Sequence, residues 1–80
     1  MYYVYLLRSI PDPEKKYSGI ATDLKRRLQQ HNKGESIHTN KFKPWKLVTY
    51  IAFDDREKAE AFEKYLKQGT GHAFAKKHFW

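Results

Sequence analysis

Eighty residues predict a single domain over residues 1–80 with no room for a second core, which excludes a multidomain enzyme. Without cysteine, disulfide staples and thiolate zinc sites are excluded as well, so a composition that is 40% hydrophobic and 16% aromatic must hold the core together unaided. Sixteen Lys and Arg against nine Asp and Glu leave a formal charge of +7, which suits polyanionic partners, nucleic acid first, and suits a merely soluble basic surface equally well.

Tyr2-Tyr3-Val4-Tyr5-Leu6-Leu7 is aromatic and β-branched at its start and apolar on both faces, predicting a strand buried on both sides. Pro11-Asp12-Pro13 forces a turn, and Lys16-Tyr17-Ser18-Gly19-Ile20 is short enough to return as its antiparallel partner. Gly19 weakens that strand's interior, and a glycine there marks a close approach by another group. Thr22 or Asp23 caps a helix that runs to about Asn32 and ends at Gly34. The polar, non-periodic stretch from Glu35 to Pro44 predicts a mobile loop carrying His38, Lys41 and Lys43.

Lys46 through Phe53 alternates as a third strand. Asp54-Asp55 then caps a second helix that places Ala59, Phe62, Glu63 and Leu66 on one face, with Gly69-Thr70-Gly71 expected to stop it. Ala73 to Phe79 predicts a short last helical piece packed by its aromatic residues. The order β-β-α-β-α-α, with runs too short for βαβ units, implies an α+β domain: a three-stranded antiparallel sheet flanked by helices.

Two helix faces break their apolar pattern. Leu24, Arg27, Leu28 and His31 share one stripe, and Glu63 interrupts the other. Charges beside an apolar face must be paired, bound to an ion or open to a cleft. One arrangement that meets this need is purely structural, an Arg27–Glu63 salt bridge with His31 satisfied at the boundary. The strands supply another. Tyr3, Tyr5 and Leu7 share a face of the first strand, Tyr17 and Gly19 a face of the second, so an aligned register would bring two or three phenols together above a glycine. A phenol to take or relay a proton, a cation for a phosphate and a carboxylate for a metal are the parts of phosphodiester chemistry.

Tyr3-Val4-Tyr5, Tyr17-Ser18-Gly19, the Thr22–Asn32 helix, Lys43-Pro44-Trp45-Lys46-Leu47-Val48 and Ala61-Phe62-Glu63-Lys64-Tyr65-Leu66-Lys67 together resemble the core of the GIY-YIG nuclease superfamily over nearly the whole chain. Small stand-alone members, mostly bacterial, are the nearest likeness. Tyr3 stands where the first tripeptide has glycine, and Ser18 where the second has isoleucine. The resemblance implies metal-dependent endonuclease cleavage of DNA. It implies roles for Tyr5 and Tyr17 as the two motif tyrosines, Arg27 as the phosphate-binding arginine, His31 beside the active site and Glu63 as the metal carboxylate, holding one Mg²⁺ or Mn²⁺. Tyr17, relayed through Tyr5 or His31, would take a proton from water, assisted by cation and metal because an ordinary phenol near pKa 10 is a poor base at neutral pH.

Fused recognition domains often give such enzymes their specificity, and this chain has none, so low intrinsic sequence specificity is expected. Backbone contacts would come from Lys25, Arg26, Lys41, Lys43, Lys76 and Lys77 to DNA that is branched, damaged or single-stranded, with a protein partner supplying specificity. A non-catalytic nucleic-acid-binding module of the same fold is the alternative, and a protein-interaction domain using an exposed Trp45 or Trp80 is a third reading. No apolar run approaches the roughly 18 residues of a membrane span, and the N-terminus lacks the charged lead of a signal peptide, which predicts a cytoplasmic protein without membrane contact.

Overall fold

A computed structural model describes all 80 residues, Met1 to Trp80. The elements are β1 (Tyr2–Ser9), β2 (Lys16–Ala21), α1 (Leu24–Asn32), β3 (Trp45–Phe53), α2 (Arg56–Leu66) and α3 (Gly69–His78), with one 3-10 turn at Asn40–Phe42. The three strands form an antiparallel sheet in the order β2-β1-β3, so the apolar first strand is central and buried on both faces. This is the α+β order that the sequence predicts.

Each face of the sheet carries its own core. Tyr5, Leu7, Ala21 and Trp45 pack with Leu24 and Leu28 of α1 on one face. Val4 and Leu6 meet Ala59 and Leu66 of α2 and Ala75 of α3 on the other, closed by Phe53, Phe62, Phe79 and Trp80. Asp23 caps α1 by accepting from the Arg26 amide at 3.1 Å, and Asp55 caps α2 by accepting from the Glu57 amide at 2.8 Å. These caps fix where each helix starts, and therefore which residues face the sheet.

Three sequence expectations are corrected. α2 does end at Leu66, but Gly69-Thr70-Gly71 forms the first turn of α3 rather than a break between helices. A side chain on Gly71 would collide with the Tyr65 carbonyl, so the glycine is there to let two helices approach. Residues 35–44 are not a free loop: Thr39 is fully buried, and Ser9 Oγ donates to the Phe42 carbonyl at 2.7 Å. Trp45 is buried beneath this segment, its indole N–H donating to the Thr39 carbonyl at 2.9 Å, so it is no exposed interaction residue. No helix is long and apolar enough to cross a membrane.

Candidate active site

The hairpin register sets Tyr5 opposite Gly19, Leu7 opposite Tyr17 and Tyr3 opposite Ala21. The Tyr5 ring lies across Gly19, where a Cβ would stand 2.6 Å from the phenol oxygen. The glycine therefore makes the space the phenol occupies. Tyr17 lies beside it with ring centroids 6.3 Å apart, while Tyr3 turns away to stack edge-on with Tyr50 at 5.7 Å. Two phenols meet, not three.

One turn apart on α1, Arg27 and His31 both reach this pair. Arg27 Nε donates to Tyr5 Oη at 3.3 Å and its Nη1 to Gln30 Oε1 at 3.1 Å. Tyr5 Oη lies 2.9 Å from His31 Nε2, and His31 Nδ1 lies 2.7 Å from Thr39 Oγ1. Arg27, Tyr5, His31 and Thr39 thus form one hydrogen-bonded line running from the surface into the core. A guanidinium can only donate, so the phenol oxygen accepts there and its own hydrogen is free to go to a neutral Nε2.

The electrostatics keep that line neutral beyond the arginine. Burial, and then the nearby Arg27 charge, push the His31 pKa below its ordinary value, which favours uncharged imidazole. Burial raises the Tyr5 pKa; the Arg27 hydrogen bond opposes this, and the charges of Tyr17 and Glu63 add to it. Both Tyr5 and His31 are buried, so neither presents a face to a macromolecule. Their place is to hold Arg27 and Tyr17, whose ring lies 5.1 Å from that of His31 and which keep partial exposure at the rim.

Glu63 approaches from α2, on the other side of the sheet, near enough to influence Tyr5. It forms no ion pair with Arg27, so the structural salt bridge considered from sequence is absent. Lys67 Nζ instead lies 2.8 Å from Glu63 Oε2, one helical turn on, with the lysine side chain 55% exposed and the glutamate 18%. That contact is ionic only, because Oε2 is buried without a hydrogen-bonding donor of suitable direction. A divalent cation at this carboxylate would replace the Lys67 ammonium, whose side chain is exposed enough to swing away. No group of three or more His, Cys, Asp or Glu stands together, so an ion at Glu63 would take few ligands from the protein. That suits Mg²⁺ or Mn²⁺, which keep waters and accept substrate phosphate oxygens, and not a protein-saturated zinc site.

Two grooves bracket this centre along the exposed edge of β2. One, about 590 Å³, runs past Ile20 and Ala21 with Arg26, Arg27 and Arg56 in its wall. The other, about 300 Å³, runs past Lys16, Tyr17 and Ser18 to Lys67, His72 and Trp80. Gly19 on β2 and Glu63 on α2 fall between the residues lining the two grooves. Of the six basic residues expected to bind nucleic acid, Arg26 alone lines either groove. Lys25 borders a separate hollow beside Tyr3 and Tyr50; Lys41, Lys43, Lys76 and Lys77 are exposed and line neither. Lys16, Arg56, Lys67 and His72 line the grooves as well. The sequence signals only the i,i+4 pairings Arg56–Glu60 and Glu63–Lys67; the rest depends on strand order.

Comparison with known proteins gives the family. The GIY-YIG catalytic domain family matches residues 1–77. The chain is 39% identical over 84 residues to the structure-specific endonuclease subunit SLX1 of Candida dubliniensis, which covers 96% of this chain and 28% of that protein. It is 36% identical over 70 residues to a UPF0213 protein of Haloquadratum walsbyi, covering 86% of this chain and 76% of the relative. The chain thus spans about a quarter of the SLX1 protein and most of the UPF0213 one. The solution structure of a UPF0213 protein from Bacillus halodurans superposes with a TM-score of 0.55 at 29% identity, over 95% of this chain and 81% of that one. With a family match running almost end to end, over residues 1–77, this chain belongs to the GIY-YIG catalytic domain family.

Proposed function

We propose that the domain is an endonuclease that hydrolyses DNA phosphodiester bonds with low intrinsic sequence specificity and requires a divalent metal. The observation that supports this reading is the buried, bonded line through Tyr5 and His31 that holds Arg27, with Tyr17 beside it at the partly exposed rim and Glu63 of α2 near enough for its charge to act on Tyr5.

Arg27 spends Nε on Tyr5 and Nη1 on Gln30, which leaves Nη2 to hold a phosphate oxygen and offset the charge that builds there during attack. Tyr17 takes or relays the proton of the attacking water as its oxygen bonds to phosphorus and an ester oxygen leaves. Tyr5, kept neutral by burial, fixes the Arg27 guanidinium in place, and neutral His31 fixes Tyr5. Glu63 would hold one Mg²⁺ or Mn²⁺, which supplies Lewis-acid neutralisation at the scissile phosphate. DNA with a branch, a lesion or a single-stranded stretch is the expected substrate. The SLX1 relative is an endonuclease subunit, which favours a protein partner that contributes specificity here.

Nicking of plasmid, branched and single-stranded DNA in Mg²⁺, Mn²⁺ or chelator tests the reading. Metal-dependent nicking by the wild type, lost in both Tyr17→Phe and Glu63→Gln, is the expected result. Salt-sensitive binding with no nicking under any condition would make the domain a binding module instead.

A further inference from the structure

The 300 Å³ groove beyond Tyr17 has contents that phosphodiester hydrolysis does not require. Trp80 forms one wall, Lys16 and Lys67 stand over it, and His72 and Leu66 complete it. The Trp80 backbone is pinned twice: its amide donates to the Ala75 carbonyl at 3.0 Å, and its carbonyl accepts from Arg8 Nη2 at 2.7 Å. Arg8 Cζ and Lys16 Nζ lie 5.8 and 5.4 Å from the indole centroid. Arg8 is thereby committed to holding the residue, whereas Lys16 is exposed, forms no ion pair and rests on the ring by cation–π attraction alone. Lys67, whose side chain is more than half exposed, is held only by its contact with Glu63.

We propose that this groove is a nucleotide pocket that takes one unpaired base against Trp80 and its flanking phosphates on Lys16 and Lys67. An aromatic face fixed beside mobile ammonium groups is how single-stranded nucleic acid is held without sequence preference, since every base has a face to stack and every link a charge. Lys16 moves from the ring to a phosphate as the base arrives, so its charge stays paired. A base inside a duplex already has its faces covered by its neighbours, so the pocket selects a strand that is unpaired on this side of Tyr17. The opposite groove, with Arg26, Arg27 and Arg56, offers guanidinium groups and no aromatic wall beyond Tyr2, and so asks only for backbone. The orientation relative to the cleaved bond rests on the nuclease reading; the pocket itself does not.

The test uses tryptophan fluorescence in EDTA, where nothing is cleaved. Trp45 is buried at 4% exposure, so quenching by added DNA reports Trp80. A short oligothymidylate should quench the signal; by anisotropy of a dye-labelled strand, which reads every variant, it should bind about tenfold more tightly than an abasic strand of the same length, with Trp80→Leu lowering its affinity to the abasic level and Trp80→Phe keeping most of it. Equal binding by the normal and abasic strands of the wild-type protein would overturn the proposal, whether or not the Trp80→Leu protein folds. So would equal quenching by a blunt duplex. Plasmid nicking measured on the same preparation separates the two readings: nicking without base-dependent binding defeats the pocket alone, and base-dependent binding without nicking defeats the nuclease alone.

Discussion

The two sides of the candidate site are built differently. On the α1 side, Tyr5, His31 and Thr39 are buried and each polar atom of the line has a partner, from Arg27 Nε through to Thr39 Oγ1. On the α2 side, Glu63 keeps a buried oxygen without a hydrogen-bond donor, and its cationic neighbour Lys67 is more than half exposed. The first arrangement is costly to disturb because each removed partner leaves a buried polar group behind. The second is cheaper to disturb because the lysine end of its ion pair is open to water and is resolvated when the partner is removed. Stability should therefore reside on the α1 side and ion and substrate capture on the α2 side, with Arg27 at the boundary.

Substitutions at the boundary and within the buried line probe that division most strongly. Arg27→Ala should lower the cleavage rate by about 10²–10³-fold, as removal of a charge-stabilising donor does, while salt-sensitive DNA binding falls much less because Arg26, Arg56, Lys16 and Lys67 remain. Rates and binding titrations compared at one salt concentration check this; equal losses would make Arg27 an ordinary backbone contact. His31→Ala should cost about 2–4 kcal/mol by opening a cavity and stranding Tyr5 and Thr39, against a margin of about 3–5 kcal/mol for so small a core. Its urea melt should be shifted or lost altogether, and a melt near that of the wild type would show that the line is not structural.

Gly19→Ala tests the close approach of Tyr5. The new methyl would meet a phenol that is buried and bonded on two sides, so the ring cannot swing clear, and a loss of about 1–3 kcal/mol is expected by denaturant melt. A smaller effect comes from pH. Because the His31 pKa is lowered in the folded protein, the unfolded chain binds more protons in the window between that lowered value and the ordinary 6.5. The stability from this group is complete above about 6.5 and declines as pH falls through the folded value. Urea midpoints from neutral pH to about pH 5 should fall more steeply for the wild type than for His31→Gln, and parallel slopes would assign the acid sensitivity to other groups.

Local signals in the chain carried the fold well. The hairpin between β1 and β2, the Asp23 and Asp55 caps and the polar stripe of α1 depend on neighbours a few residues away, and they stand as the pattern predicts. Contacts between distant segments were not legible. His31 is buried because Thr39, in a polar stretch that reads as loop, folds back onto its ring, and Trp45 is covered by the same segment. Gly71 reads as a helix breaker until α3 is seen against the Tyr65 carbonyl. Lys16, Lys67, His72 and Trp80 come from β2, the end of α2, α3 and the residues after it, so no spacing along the chain could join them into one groove.

The claim that Glu63 serves an ion rather than the fold is tested most directly by urea melts of the wild type and Glu63→Gln, each in EDTA and in Mn²⁺. In EDTA the two midpoints should agree or the variant should be slightly higher, because Glu63 has no buried arginine partner to lose. Mn²⁺ should then raise the wild-type midpoint alone, since a ligand that binds only the folded state stabilises it by mass action. A loss on the order of 3 kcal/mol for Glu63→Gln in EDTA, as breaking a buried ion pair would give, or an equal Mn²⁺ shift in both proteins, would contradict the assignment.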